Sequence, residues 1–171
     1  MKKILIIILT FTTSTLFSQN ISLEEVITLR TKNLAVVEEY LTAKGWDLIN
    51  TEVEGESSLG SMDFAYNKSN YNDKAEAFVT YLYSEKIGRK RISIQMSKKE
   101  KYTLFLNQVK SKGVSLIKSK IEDDLIKKVY QNKSLTFIVT TSTQVDDFSS
   151  TKTTYSFLVI TNSDFEINFN D

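Results

Sequence analysis

Lys44-Gly45-Trp46-Asp47-Leu48-Ile49 and Lys112-Gly113-Val114-Ser115-Leu116-Ile117 are two versions of one junction, and their reading decides the fold. Each sets Lys-Gly at the end of a run with helical apolar spacing and then opens a run with alternating spacing. Glycine suits the left-handed residue that closes many helices. The change of period from near four to two marks the passage from helix to strand. The match extends on both sides. Val37 aligns with Phe105, Leu41 with Val109, Val53 with Ile121 and Glu54 with Glu122. After a short gap, Ala65-Tyr66-Asn67-Lys68-Ser69 faces Tyr130-Gln131-Asn132-Lys133-Ser134. The alternation also slips at the same place in both: Trp46 and Leu48 share one side and Ile49 and Val53 the other, as do Val114 and Leu116 against Ile117 and Ile121. One bulge in each first strand accounts for the slip. The chain reads as an internal duplication.

Outward from the first junction, Ser22-Leu23-Glu24-Glu25 forms a capping-box pattern. Leu23, Val26, Ile27, Leu34, Val37 and Leu41 follow at helical spacing, which predicts one helix over 22–44. Alternation then predicts strands at 46–54, 61–67, 75–84 and 89–97. Residues 75–84 are apolar on both sides, with Ala77, Val79 and Tyr81 against Phe78 and Leu82, as expected of a strand inside a sheet. In 89–97, Ile92, Ile94 and Met96 point one way and Arg91, Ser93 and Gln95 the other. A second helix is expected over 99–112, carrying Tyr102, Phe105, Leu106 and Val109, and strands over 114–122, 125–132, 134–142 and 153–161. A polar loop is expected over 143–152. Short connections favour antiparallel meanders. The expected class is α+β: two tandem repeats of one helix followed by a four-stranded antiparallel sheet, with the helices packed on the sheet. Repeat one spans 22–97, repeat two 98–162, and a tail 163–171 alternates Phe165, Ile167 and Phe169 with polar residues, as a short extra strand or a frayed end would. The chain has no proline, so lysines in 114–122 and 125–132 are left to guard sheet edges.

The first residues have the form of a signal peptide over 1–18. Lys2 and Lys3 supply the charged start, Ile4 to Phe11 the apolar run, and Ser18 a small residue at the cut. The apolar run is shorter than the roughly 20 residues of a membrane span, and no transmembrane segment is expected in the mature chain. With no Cys at the junction there is no site for a lipid anchor. The expected location is periplasmic or secreted, and residues 19–171 form one domain without disulfides. The whole chain carries +1, and losing Lys2 and Lys3 leaves −1, so net charge points to no partner.

Neither His nor Cys occurs. Ser-His-Asp and Cys-His nucleophiles are therefore excluded, as is ordinary zinc, copper or haem ligation. No glycine-rich phosphate loop is present. Carboxylates at Asp146-Asp147 and Glu122-Asp123-Asp124 are the material for a hydrolase, and nothing in their spacing sets two across a cleft. Asn70, Asn72 and Asp73 offer oxygen to calcium but form a turn-rich loop without an EF-hand pattern. Ser149-Ser150-Thr151-Lys152 has the Ser-x-x-Lys spacing outside the helix that spacing needs. No catalytic, cofactor or metal site is therefore assigned. Charge distribution offers more: residues 86–133 hold fourteen Lys or Arg against four acids. Arg89, Arg91, Lys98 and Lys101 are its candidate binding residues, for anionic lipid headgroups or polysaccharide. Phe165, Ile167 and Phe169 are candidates for strand-edge pairing with a protein. Export removes the chain from most nucleic acid.

The Ser22-Leu23-Glu24-Glu25-Val26 start, the Lys44-Gly45-Trp46 junction and the two Asn-Lys-Ser segments resemble small uncharacterised exported bacterial proteins. The tandem plan is similar in architecture to beta-lactamase inhibitor proteins, whose disulfides this chain lacks. The first resemblance implies no activity and the second is one of topology alone. The expected function is an exported, non-catalytic binding protein of the bacterial envelope, with another protein or an envelope component as partner. An anionic-surface binder using 86–133 is the first alternative, and a carboxylate hydrolase the second.

Overall fold

The computed structural model describes residues 21–71, 74–122, 125–145 and 151–169. The leader 1–18, Asn72 and Asp73, Asp123 and Asp124, and 146–150 with Asp146-Asp147 lie outside them. Among the described residues, four helices and one open eight-stranded antiparallel sheet make up the fold. In chain order the elements are α1 (Leu23–Leu29), α2 (Leu34–Ala43), β1 (Trp46–Glu52), β2 (Gly60–Tyr66), β3 (Ala77–Ser84), β4 (Arg89–Met96), α3 (Lys99–Ser111), β5 (Ser115–Glu122), β6 (Leu125–Gln131), β7 (Leu135–Val145), β8 (Thr151–Thr161) and α4 (Asn162–Asn168). The sheet order is β1-β2-β3-β4-β8-β7-β6-β5. Two meanders thus join through their last strands, with Ile92 opposite Val159 and Ile94 opposite Phe157.

Ser22 begins α1 with a full capping box: its hydroxyl accepts from the Glu25 amide and Glu25 accepts from the Ser22 amide. The single helix expected over 22–44 is two. Arg30 to Lys32 turn, with the Thr31 amide donating to Thr28 and the Lys32 amide to Leu29, and Asn33 then caps α2 by accepting from the Val36 amide. Asn competes with the backbone for hydrogen bonds, and that makes it a helix starter rather than an interior residue. Gly45 and Gly113 follow α2 and α3 with φ of 79° and 65°, the left-handed geometry expected of them. Both bulges are present, between Leu48 and Asn50 in β1 and between Leu116 and Lys118 in β5.

Residues paired across strands share a side of the sheet, so the register defines two faces. One carries Trp46, Phe64, Val79, Tyr81, Ile92, Ile94, Phe137, Val139, Phe157 and Val159. Here Leu23 and Val26 of α1, Val37 and Leu41 of α2, and Phe105 and Val109 of α3 complete the main core. Tyr102 stacks on Tyr155 at 4.3 Å between ring centres, tying α3 to β8. The opposite face carries a small second core of Val129, Ile138, Ile160 and Phe165. Phe165 belongs to α4, so the extra strand or frayed end expected over 163–171 is a helix as far as Asn168. Thr161 caps it by accepting from the Asp164 amide.

Candidate functional site

The face opposite α1–α3 is the broadest candidate surface. Over β3 and β4 most of its side chains are half-buried or exposed. Its floor is built by alternation. Phe78, Thr80 and Leu82 of β3 stand beside Gln95, Ser93 and Arg91 of β4, and Ser156 and Leu158 of β8 stand beside Gln95 and Ser93. Phe78 and Leu82 are half-buried, as are Thr80, Ser93 and Ser156. Three apolar side chains, Phe78, Leu82 and Leu158, thus lie in a hydroxyl-rich floor. Asp63 of β2 accepts from the Thr80 hydroxyl at 2.7 Å and from Asn50 Nδ2 at 3.1 Å, so its carboxylate is held in the plane of the floor. At the end of this face a depression of about 200 Å³ lies among Glu76, Phe78, Gln95, Met96, Lys152 and Thr154.

The other boundary of the floor is α4, and one carboxylate holds it down. Asp164 is 6% exposed. It accepts from Arg91 Nε at 2.7 Å and Arg91 Nη2 at 2.9 Å, and Arg89 Nε lies 3.1 Å away. Asn168 Nδ2 adds a bond at 2.8 Å from within the helix. The Arg91 guanidinium sits 4.9 Å from the Phe169 ring centre, with Lys127 Nζ at 6.0 Å. A bidentate arginine and a facing ring are among the stronger polar contacts a surface offers.

The candidate cations therefore divide. Arg89 and Arg91 converge on Asp164 beneath α4. Lys98 lies past the far end of β4, a distance of roughly 25 Å along the strand. It pairs with Glu76 at 2.6 Å. Lys101 lies near that pair: burial lowers its pKa, Glu76 opposes, and Lys98 adds to the lowering. The structure brings Arg89 and Arg91 together, and Lys98 and Lys101 together, but not the four into one surface. Phe165 is buried, Phe169 is half-buried under two cations, and Ile167 is 72% exposed. These three lie on a helix and its last turn and not on a strand: Phe165 and Phe169 pack on the sheet and Ile167 faces outward. A strand needs period two, whereas Phe165 and Phe169, four apart, share one side of a helix.

Sequence reasoning did not single out Asp164. Its signal was present: Thr161-Asn162-Ser163-Asp164 is a capping residue with an acid three places on. A second cluster was also missed. Glu25 accepts from Lys44 Nζ at 2.6 Å and from the Tyr40 hydroxyl, joining α1 to the end of α2. Burial works against the Glu25 charge, but Lys44, Tyr40 and Ser22 outweigh it and bring its pKa down to about 2. Burial and the Glu25 carboxylate raise the Tyr40 pKa.

Among the described residues no group of three or more His, Cys, Asp or Glu is arranged to hold a metal ion. No helix among them is long and apolar enough to cross a membrane, which says nothing of strands that cross as a barrel. No protein-family model, no curated protein and no solved structure matches this chain.

Proposed function

We propose that this protein is an exported, non-catalytic binding protein and that the uncovered sheet face receives a folded protein partner. The observation that carries this reading is the unequal covering of the two faces. Among the described residues three helices lie on one, and a single seven-residue helix on part of the other. Eight strands about 4.8 Å apart and about 3.3 Å per residue make a face of roughly 34 by 25 Å, near 850 Å². The α4 helix, about 10 Å long and wide, covers roughly 100 Å² of it. The remainder is close to the area of about 800 Å² that one partner contributes to a standard protein interface. Half-buried Phe78 and Leu82 among hydroxyls fit the mixed polar and apolar character of such surfaces. Export rests on the Lys2-Lys3 start and the apolar run after it.

The two halves are, in this reading, copies of one unit. Support comes from features repeated at one spacing: Gly45 and Gly113 in left-handed geometry, and the Leu48/Asn50 and Leu116/Lys118 bulges, each pair 68 residues apart (113 − 45, 116 − 48). Fusion through β4 and β8 doubles the width of the face a single unit presents.

The test is capture from envelope extract on immobilised residues 19–171, read by mass spectrometry. One variant carries Thr80→Arg, Ser93→Arg and Ser156→Arg on the face, and a control carries Glu38→Arg and Glu39→Arg on α2. A protein retained by the parent and the control and lost from the face variant is the expected result. Equal retention by all three would refute the face as the binding surface.

A further inference from the structure

We infer that the two open sheet edges are complementary to each other, so that the β5 edge of one molecule receives the β1 edge of a second copy and extends the sheet from one molecule into the next. The edge strands have opposite charge. β1 and β2 hold Asp47, Glu52 and Asp63 and no base, whereas β5 and β6 hold Lys118, Lys120, Lys127 and Lys128 against Glu122 alone. Every residue of β1 after Trp46 is exposed, as is every residue of β5 except half-buried Lys118.

The register distributes these residues consistently. Asp47 and Glu52 fall on the uncovered face, opposite Ala65 and Ser61, and Lys118 and Lys120 fall on the same face, opposite Val129 and Lys127. On the helix-bearing face each edge shows apolar side chains instead: Leu48 at one edge, Leu116 and Ile121 at the other. Ile121 is 73% exposed, and Val53, just beyond β1, is 87% exposed. Side by side with Asp47 set against Lys120, Glu52 lies diagonal to Lys118 on one face and Leu48 lies diagonal to Leu116 and Ile121 on the other, while Glu122, diagonal to Asp47, is paired with Lys120 within β5.

Topology permits this without inverting a molecule. Eight antiparallel strands alternate in direction, so β1 and β5 run oppositely. A second copy moved sideways by one sheet width presents β1 antiparallel to β5 with its helices on the same side. Charge selects this arrangement from the alternatives. Two β5 edges would bring together two net-positive strands, and two β1 edges two acidic ones, and like charges across a strand pair are unfavourable. Edge lysines and bulges ordinarily keep strands apart. Lysines do so against a like edge but not against an acidic one, and the strand beyond each bulge remains regular. A head-to-tail contact of this kind does not close on itself at two copies, so it builds rings or open chains.

The experiment is light scattering on residues 19–171 across protein and salt concentration, with two edge variants. One is Lys118→Glu with Lys120→Glu; the other is Asp47→Lys with Glu52→Lys. The parent's weight-average mass should rise with concentration to about twice the monomer's or more at low salt, and return to the monomer's at high salt. Each variant alone should stay monomeric while keeping the parent's circular dichroism, and an equimolar mixture of the two should recover the association, since each then meets an edge of opposite charge. A parent monomeric at every concentration overturns the inference, as do variants that associate like the parent or a mixture of folded variants that stays monomeric.

Discussion

Glu25 and the two junction glycines show how much single positions settle. Glu25 closes the α1 cap and, through Lys44 and Tyr40, fastens α1 to α2. Its pKa falls from 4.5 to about 2 on folding. A lowered carboxylate adds stability above its unfolded pKa, and that contribution disappears as pH falls from about 4.5 towards 2. With the side chain about 30% exposed, screening reduces the gain to about 1–2 kcal/mol. Urea unfolding of Glu25→Gln should show that loss at pH 7 and a smaller difference from the parent at pH 2.5. An unchanged difference at both values would show that the charge contributes nothing. Gly45 and Gly113 have open space where a Cβ would stand, so an alanine there is opposed by backbone conformation alone. Gly45→Ala and Gly113→Ala should each cost about 1 kcal/mol, and similar costs are expected if the junctions are equivalent. These glycines were legible in the sequence because nothing else explains Lys-Gly at a change of period. The Glu25–Lys44–Tyr40 cluster was not legible, since it depends on how α1 and α2 turn on each other.

At the scale of elements, strands were easier to read than helix ends. Alternation places β2, β3 and β4 within a residue or two because one side of each is buried. The interruption at Arg30 to Asn33 was hidden because Ile27, Leu34 and Val37 keep a helical rhythm across it. Phe165, Ile167 and Phe169 misled for a related reason: spacing of two contains spacing of four, and only the tertiary partner decides. That partner is Arg91, 73 residues from Asp164 in the chain, and no local pattern announces it. Asp164→Asn should therefore release α4 from the sheet. It leaves the guanidiniums of Arg89 and Arg91 without their carboxylate, with an expected cost of about 3 kcal/mol. Early proteolytic cleavage within 162–169 should accompany the loss. If that segment stays as resistant as in the parent, the Asp164 clamp is not what holds α4.

At the scale of the molecule, the sheet is one unit because β4 and β8 join the meanders and the main core crosses the join. Val79, Ile94, Phe157 and Phe137 belong to one apolar cluster spanning both halves. Phe157→Ala should cost about 3–5 kcal/mol and lower a single urea transition instead of dividing it in two. The two four-stranded antiparallel meanders were legible, β1 to β4 and β5 to β8. Which strands meet across the halves was not, since β1 and β5, or β4 and β8, satisfy the same local pattern. The edge charges could be counted in advance but acquired meaning only when β1 and β5 proved to be the edges. The uncovered face proposed for binding likewise follows from where the helices lie. Residue-resolved native-state hydrogen exchange tests the joined sheet most directly. The amides of the β4·β8 ladder, from Ile92 to Met96 and Tyr155 to Val159, should be the slowest and exchange only on global unfolding, with β1 and β5 fastest. If the β4·β8 amides exchange at edge-strand rates while either half stays protected by itself, the halves are separate units and no continuous face exists.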